Sequence, residues 1–278
     1  MTEHRAAQHT HWSLEDIPFG DIRVDAIRQD SHFFHMLASA SLVETAADLY
    51  TENLLRFFGG DQEVSAWLER EWQHEEMQHG AALRRYVAEV WPEFPWQQAF
   101  DAFLGEYAPL CDAARLGPTP ALELVARCVV ETGTSTLYAT LAQASPEPVL
   151  AALAERIRRD EVRHYKHFYR YFRTYREREP VARTAVLRSL WHRVREIDSE
   201  DEFIAFKHVF LAATPDAAFT RADYRAFRRR NAQLARRHYP FVTAAKMLVR
   251  PLLLDSRVER LAVPLLVGSA RAVNRLAA

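Results

Sequence analysis

Four helical stretches of this sequence each place a glutamate where the pattern asks for an apolar residue. That is a hard condition on any fold. Between Asp30 and Glu179 the apolar residues recur at the 3.6 period of amphipathic helices. The first stretch reads Leu37, Ser41, Glu44, Asp48 and Leu55 along one face, and the second reads Leu68, Trp72, Leu83, Tyr86 and Val90, with Glu76 and His79 filling its gap. The third gives Leu124, Cys128, Glu131, Ser135 and Tyr138. The fourth gives Leu150, Leu153, Ile157, Phe168 and Phe172, again with a glutamate and a histidine, Glu161 and His164, in the gap. Carboxylates converging in an apolar interior cost several kcal/mol each unless a counter-charge meets them.

Punctuation sets the boundaries. Asp30-Ser31 has N-cap chemistry and predicts a first helix to Phe58, closed by Gly59-Gly60. A second runs from after Asp61 to Trp91, stopped by Pro92 and Pro95. Residues 96–116 read as a connecting helix or crossover, and helices follow over 120–144 and from Pro148 to Glu179. Further helices are predicted over 181–197, 199–212 and 220–238. Only 8 glycines occur, and hairpin signals and strand alternation are missing, so the fold is expected to be all-α. It divides into a helical bundle with an N-terminal arm over 1–179 and C-terminal helices packed on it over 180–278.

Composition removes several classes. A net charge of −1 gives no electrostatic case for nucleic acid. Two cysteines, Cys111 and Cys128, make no disulfide framework and fit a reducing cytoplasm. The first residues lack the apolar core of a signal peptide, and no run approaches the length of a membrane span. A cytoplasmic protein is expected.

Glu-x-x-His sets two side chains one turn apart on one helix face, so both can grip one ion. A bare match is weak evidence, since the 23 Glu and 12 His of this chain give about one by chance. The arrangement carries the weight: Glu44, then Glu76 with His79, then Glu131, then Glu161 with His164, one set per long helix. This is the ligand pattern of a carboxylate-bridged di-metal bundle, with a glutamate from two helices and Glu-x-x-His from the other two. Two divalent cations balance four carboxylates, and six ligands leave coordination positions open for oxygen. Mixed carboxylate and imidazole suits two Fe ions, or a Mn/Fe pair.

At these residues the chain resembles the soluble acyl-carrier-protein desaturases, a family of the ferritin-like di-iron carboxylate superfamily. EWQHEEMQHG at 71–80 and DEVRH at 160–164 are similar to its two signatures. Glu44 in VETAADLY stands where the family has its first-helix glutamate, with Tyr50 six residues on. Glu131 in VVETGTSTLY stands at the third-helix glutamate. The resemblance covers roughly 12–175 of the sequence. It implies a ferritin-like four-helix bundle with a di-iron centre and an oxygen-dependent desaturase of an acyl-carrier-protein or acyl-thioester substrate, served by a ferredoxin-type reductant and O2. A homodimer is expected. The resemblance further implies that Thr134 aids oxygen activation, that Asp160 holds His79, and that Trp12 in HWSLEDIPF ends an electron path. On the residues alone, Thr134 lies on the metal side of its helix, three positions after Glu131, and Asp160 is placed to orient a metal-bound histidine.

The chain departs from the family in length, in the 32 residues between Glu44 and Glu76, and at Gly133. A glycine there is expected to loosen or bulge the turn beside the metals. Hydroxylation or N-oxygenation of a small metabolite is the nearest alternative. N-oxygenases of this type add a histidine where this chain has Ile157. A ferritin-like iron store is the other, opposed by the hundred residues after Pro180. The arginine runs 156–163 and 228–237 read as solvated faces, or as contacts for an acidic carrier. His4, His9 and His11 show no evident partner and are expected to be unstructured. From Pro240 the leucine and valine clusters around Pro251 and Pro264 are expected to pack on the bundle, with contact to a membrane surface as the alternative.

Overall fold

The computed structural model describes residues 11–197 and 201–278, and among these there are helices and turns but no strand. His4 and His9 lie outside the described residues. The helices are α1 Ser31–Thr45, α2 Ala47–Phe57, α3 Gln62–Trp67, α4 Gln73–Val90, α5 Trp96–Tyr107, α6 Pro120–Ala144 and α7 Pro148–Arg178. Five more follow: α8 Arg183–Ile197, α9 Asp201–Ala213, α10 Arg221–His238, α11 Phe241–Val249 and α12 Ser256–Ala277.

Local chemistry starts these helices where the sequence indicates. Asp30 accepts the backbone N–H groups of His32 and Phe33, and Asp61 those of Glu63 and Val64. Thr119 caps α6, followed by Pro120 in the first turn. Glu147 caps α7 through Val149 and Leu150, and Tyr86 Oη on α4 donates to the same carboxylate at 2.9 Å. One buried acid thus begins α7 and fixes it to α4.

Two of the predicted helices are not regular. The expected helix 31–58 breaks at Ala46 (φ −91°, ψ 11°), directly after the Glu44 turn. The break rotates the buried face, so α2 buries Ala47, Thr51 and Leu54 while Asp48 is exposed. Between α3 and α4 the segment Leu68–Trp72 is a π-turn, a device frequent at functional sites. It buries Leu68 and Trp72 ahead of the Glu76 turn. The bulge expected at Gly133 does not form; α6 runs unbroken through it, and a Cβ there would meet nothing within 4 Å.

Helix α6 packs along α7, α1 along α4, and α4 reaches α7, so the four ligand-bearing helices meet. Gly80 on α4 sets the approach of α1: a Cβ at this position would stand 2.6–2.8 Å from Oγ1, N and Cα of Thr45. The residues beyond 180 enter the same core. Ile204, Phe206 and Val209 of α9 and Phe227 of α10 are buried among Phe33, Phe34 and Leu37 of α1 and Phe103 of α5. Each fully buried leucine or phenylalanine contributes about 1.5–3 kcal/mol, and this apolar burial offsets the cost of the acids it surrounds.

Candidate metal centre

Six side chains predicted as ligands converge. Glu44, Glu76, His79 and Glu161 each offer a ligand atom within 4.8 Å of the others, and so do Glu76, Glu131, Glu161 and His164. Glu76 and Glu161 belong to both groups, which places them to bridge two positions. All six residues are buried. A third Glu-x-x-His, Glu71 with His74 at the junction of the π-turn and α4, has both side chains exposed, so burial separates the two clustered motifs from it.

Each histidine is held from behind. His79 Nε2 lies 3.1 Å from Asp160 Oδ2, and His164 Nε2 lies 2.7 Å from Glu75 Oε2. Asp160 therefore stands where the sequence reading puts it. Glu75 does the same for His164 and lies outside the predicted set, although the sequence carries its signal. An acid precedes the glutamate in both motifs, as Glu75-Glu76 and Asp160-Glu161, and each acid holds the histidine of the other helix. Arg163 bridges these acids, with Nη2 at 2.5 Å from Glu75 Oε1 and 2.8 Å from Asp160 Oδ1. It belongs to the centre and not to a solvated arginine face. His11, expected to be partnerless, lies 2.7 Å through Nδ1 from Glu75 Oε1. Against the cost of burial, His164 and Arg163 hold the Glu75 carboxyl well below its ordinary range.

The inner faces turn imidazole nitrogens toward carboxylate oxygens. His79 Nδ1 lies 3.1 Å from Glu161 Oε1, and His164 Nδ1 lies 3.1 Å from Glu76 Oε1 and 3.6 Å from Glu131 Oε2, at angles poor for hydrogen bonds. Buried polar atoms paired this imperfectly cost free energy in a closed interior. With Nε2 of each imidazole committed to an outer carboxylate, Nδ1 is left to face the cluster as a metal donor. The donor set of four carboxylates and two imidazoles fits metal ions, and without cations the charges are met by protons. Burial raises Glu44 and Glu76, with the Glu161 charge adding in both, and burial takes Glu131 to about 8. His79 and His164 are raised despite burial, by their contacts with Asp160 and Glu161 and with Glu131 and Glu75 respectively.

The remaining predicted residues border this cluster. Trp12 is buried, donates Nε1–H to Asp160 Oδ2 at 2.6 Å, and stacks on the His79 ring with 6.1 Å between centroids. Thr134 Oγ1 donates to Glu161 Oε2 at 2.6 Å. Trp72 Nε1 donates to Glu131 Oε1 at 3.2 Å, and Tyr138 Oη donates to Glu44 Oε1. Ile157 is fully buried one turn before Glu161 and adds no ligand. Tyr50 stands apart, against Tyr107 and beside a polar cavity of about 30 Å³ that Asn53, Cys111 and Arg127 also line. That cavity has room for a water molecule, not for an apolar chain.

Among protein-family models and curated protein sequences, none matches this chain.

Proposed function

We propose that the chain is a ferritin-like di-iron oxidoreductase that acts as a desaturase on an acyl thioester, as its resemblance to the soluble acyl-carrier-protein desaturases implies. One observation supports this most. Two histidines, each fixed by an outer carboxylate, turn their Nδ1 atoms toward four buried glutamates, two of which belong to both ligand groups. Carboxylates and imidazoles in that number suit two Fe ions, with a Mn/Fe pair as the variant. When bound, such a pair supplies electrons and open coordination positions for O2.

The protein's own groups then have distinct tasks. Glu75 and Asp160 orient the histidines, and Arg163 pairs with both acids in a buried setting. Trp12, joined to His79 through Asp160 Oδ2, gives a hydrogen-bonded route by which a ferredoxin-type reductant delivers electrons from the surface. Thr134 holds a proton 2.6 Å from a ligand oxygen, where it serves as a local donor. The apolar Ile157 favours this reading over N-oxygenation, because the position that would add an imidazole is filled by a hydrocarbon side chain.

The test is anaerobic reconstitution with ferrous iron, then exposure to O2 with an acyl-carrier-protein thioester. Two irons per chain and a product lighter by two hydrogens support the reading. Oxygen-18 in the product moves it to hydroxylation. Many iron atoms per chain with no product move it to storage.

A further inference from the structure

We propose that the outward face of α12 binds an anionic lipid surface. This helix packs on α10 and α11 through one side, with the Arg271 guanidinium over the edge of that contact, 5.6 Å from the Phe241 ring. Val263 and Val267 are buried, and Asn274 Nδ2 donates to the Ala232 carbonyl of α10 at 3.0 Å. At about 100° per residue these three positions share one side of the helix. The opposite side carries Val258, Leu261, Leu265, Ala272 and Leu276. Water reaches 70% of Leu261, 72% of Leu265 and 90% of Leu276. Three leucines this exposed on one stripe form a contiguous apolar strip, unlike the scattered apolar residues of an ordinary surface.

The charge beside the strip identifies its partner. Arg257, Arg260, Arg271 and Arg275 project from one flank, between the packed line and the apolar strip, and all four are exposed. Among the described residues, no carboxylate forms an ion pair with any of them. Asp255 is engaged as the helix cap, and Glu259 is the one acid within α12. A second copy of this helix would set the same arginine-rich flank against itself, with Glu259 the one acid in α12 to offset it. An anionic headgroup layer supplies both the apolar depth and the opposite charge. Long arginine stems let the guanidinium reach phosphate while the leucines enter the acyl boundary. Among the described residues no helix is long and apolar enough to cross a membrane, so the contact lies along the surface. The surface is independent of the metal centre, and the proposal stands whatever that centre does.

The test is co-sedimentation of the full chain with phosphatidylcholine vesicles, with and without phosphatidylglycerol. Binding is expected to the mixed vesicles, to weaken with salt, and to be slight on pure phosphatidylcholine. Leu261→Ser with Leu265→Ser is expected to weaken binding by about tenfold or more. Arg257→Glu with Arg275→Glu keeps the apolar strip and is expected to abolish the preference for phosphatidylglycerol. Both pairs alter exposed side chains, and unchanged circular dichroism shows that the fold is intact. Should the leucine pair fail to fold, the arginine pair decides alone. The proposal is overturned by failure of the unaltered chain to sediment, by equal binding to both vesicles, or by a dimer that the leucine pair dissolves.

Discussion

Thr134 Oγ1 donates its proton to Glu161 Oε2 across 2.6 Å, so this hydroxyl is tied to a glutamate shared by both ligand groups. The two other acceptors within its reach, the carbonyls of Val130 and Glu131, are both at 3.4 Å. Thr134→Val removes the donor at nearly constant volume. The variant is expected to keep its metal content, consume O2 slowly and lose about 10²–10⁴ in turnover on an acyl-carrier substrate, the usual contribution of a positioned proton donor. Full turnover would make Thr134 a structural group only.

Glu75 and Asp160 make equivalent contacts to His164 and His79, and their removal should have equivalent results. Glu75→Gln and Asp160→Asn each keep shape while replacing the charged acceptor. Each is expected to weaken metal affinity by about 10–100-fold, as loss of an outer partner of a ligand histidine does. Metal titration followed by calorimetry measures this. An unchanged isotherm for Glu75→Gln would show that His164 needs no partner.

Two glycines beside the centre should respond in opposite directions. Gly80→Ala drives a methyl into the backbone of Thr45, next to Glu44, and is expected to cost about 1–3 kcal/mol and to lower metal content. Gly133→Ala meets open space within a regular helix and is expected to gain about 0.5–1 kcal/mol. Chemical denaturation of the metal-free variants distinguishes the two.

The metal-free protein should lose stability as pH rises from 6.5 to about 8. Glu131 stands at about 8 in the folded chain against an ordinary 4.5, so the folded state holds a proton that the unfolded chain releases. That contribution is complete below pH 4.5 and is lost as pH climbs through about 8. Glu44, Glu76, His79 and His164 are raised as well and act in the same sense. His32 and His167, pressed down to about 4 by burial, act in the opposite sense but only below pH 6.5. Iron replaces the protons, so the rise in Tm on loading iron should grow across the window from pH 6.5 to about 8. A metal-free Tm that climbs over this window would contradict the assignment.

The sequence by itself determined the parts that depend on one helix at a time. Asp30, Asp61 and Thr119-Pro120 set helix starts through local hydrogen bonding and proline geometry, and α6 and α7 end close to where Ser145-Pro146 and Pro180 require. The 3.6 period placed Glu44, Glu76, His79, Glu131, Glu161 and His164 on buried faces. A side chain's face follows from its position along its own helix. The tertiary structure decided what depends on distances between helices. The break at Ala46 lies where α1 passes against Gly80, with no proline or glycine in α1 to announce it. The π-turn at Leu68–Trp72 shifts the helix phase ahead of Glu76, in a segment whose residues all suit an ordinary helix. Arg163 reads as part of a solvated arginine face, and Glu75 carries no role, until α4 and α7 are side by side; His11 has no partner until the N-terminal arm crosses them. The apolar face of α12 follows the same division: its periodicity is in the sequence, but which side of that helix meets the protein is settled by Val263, Val267 and Asn274 packing, because contact between elements is a property of the assembled chain.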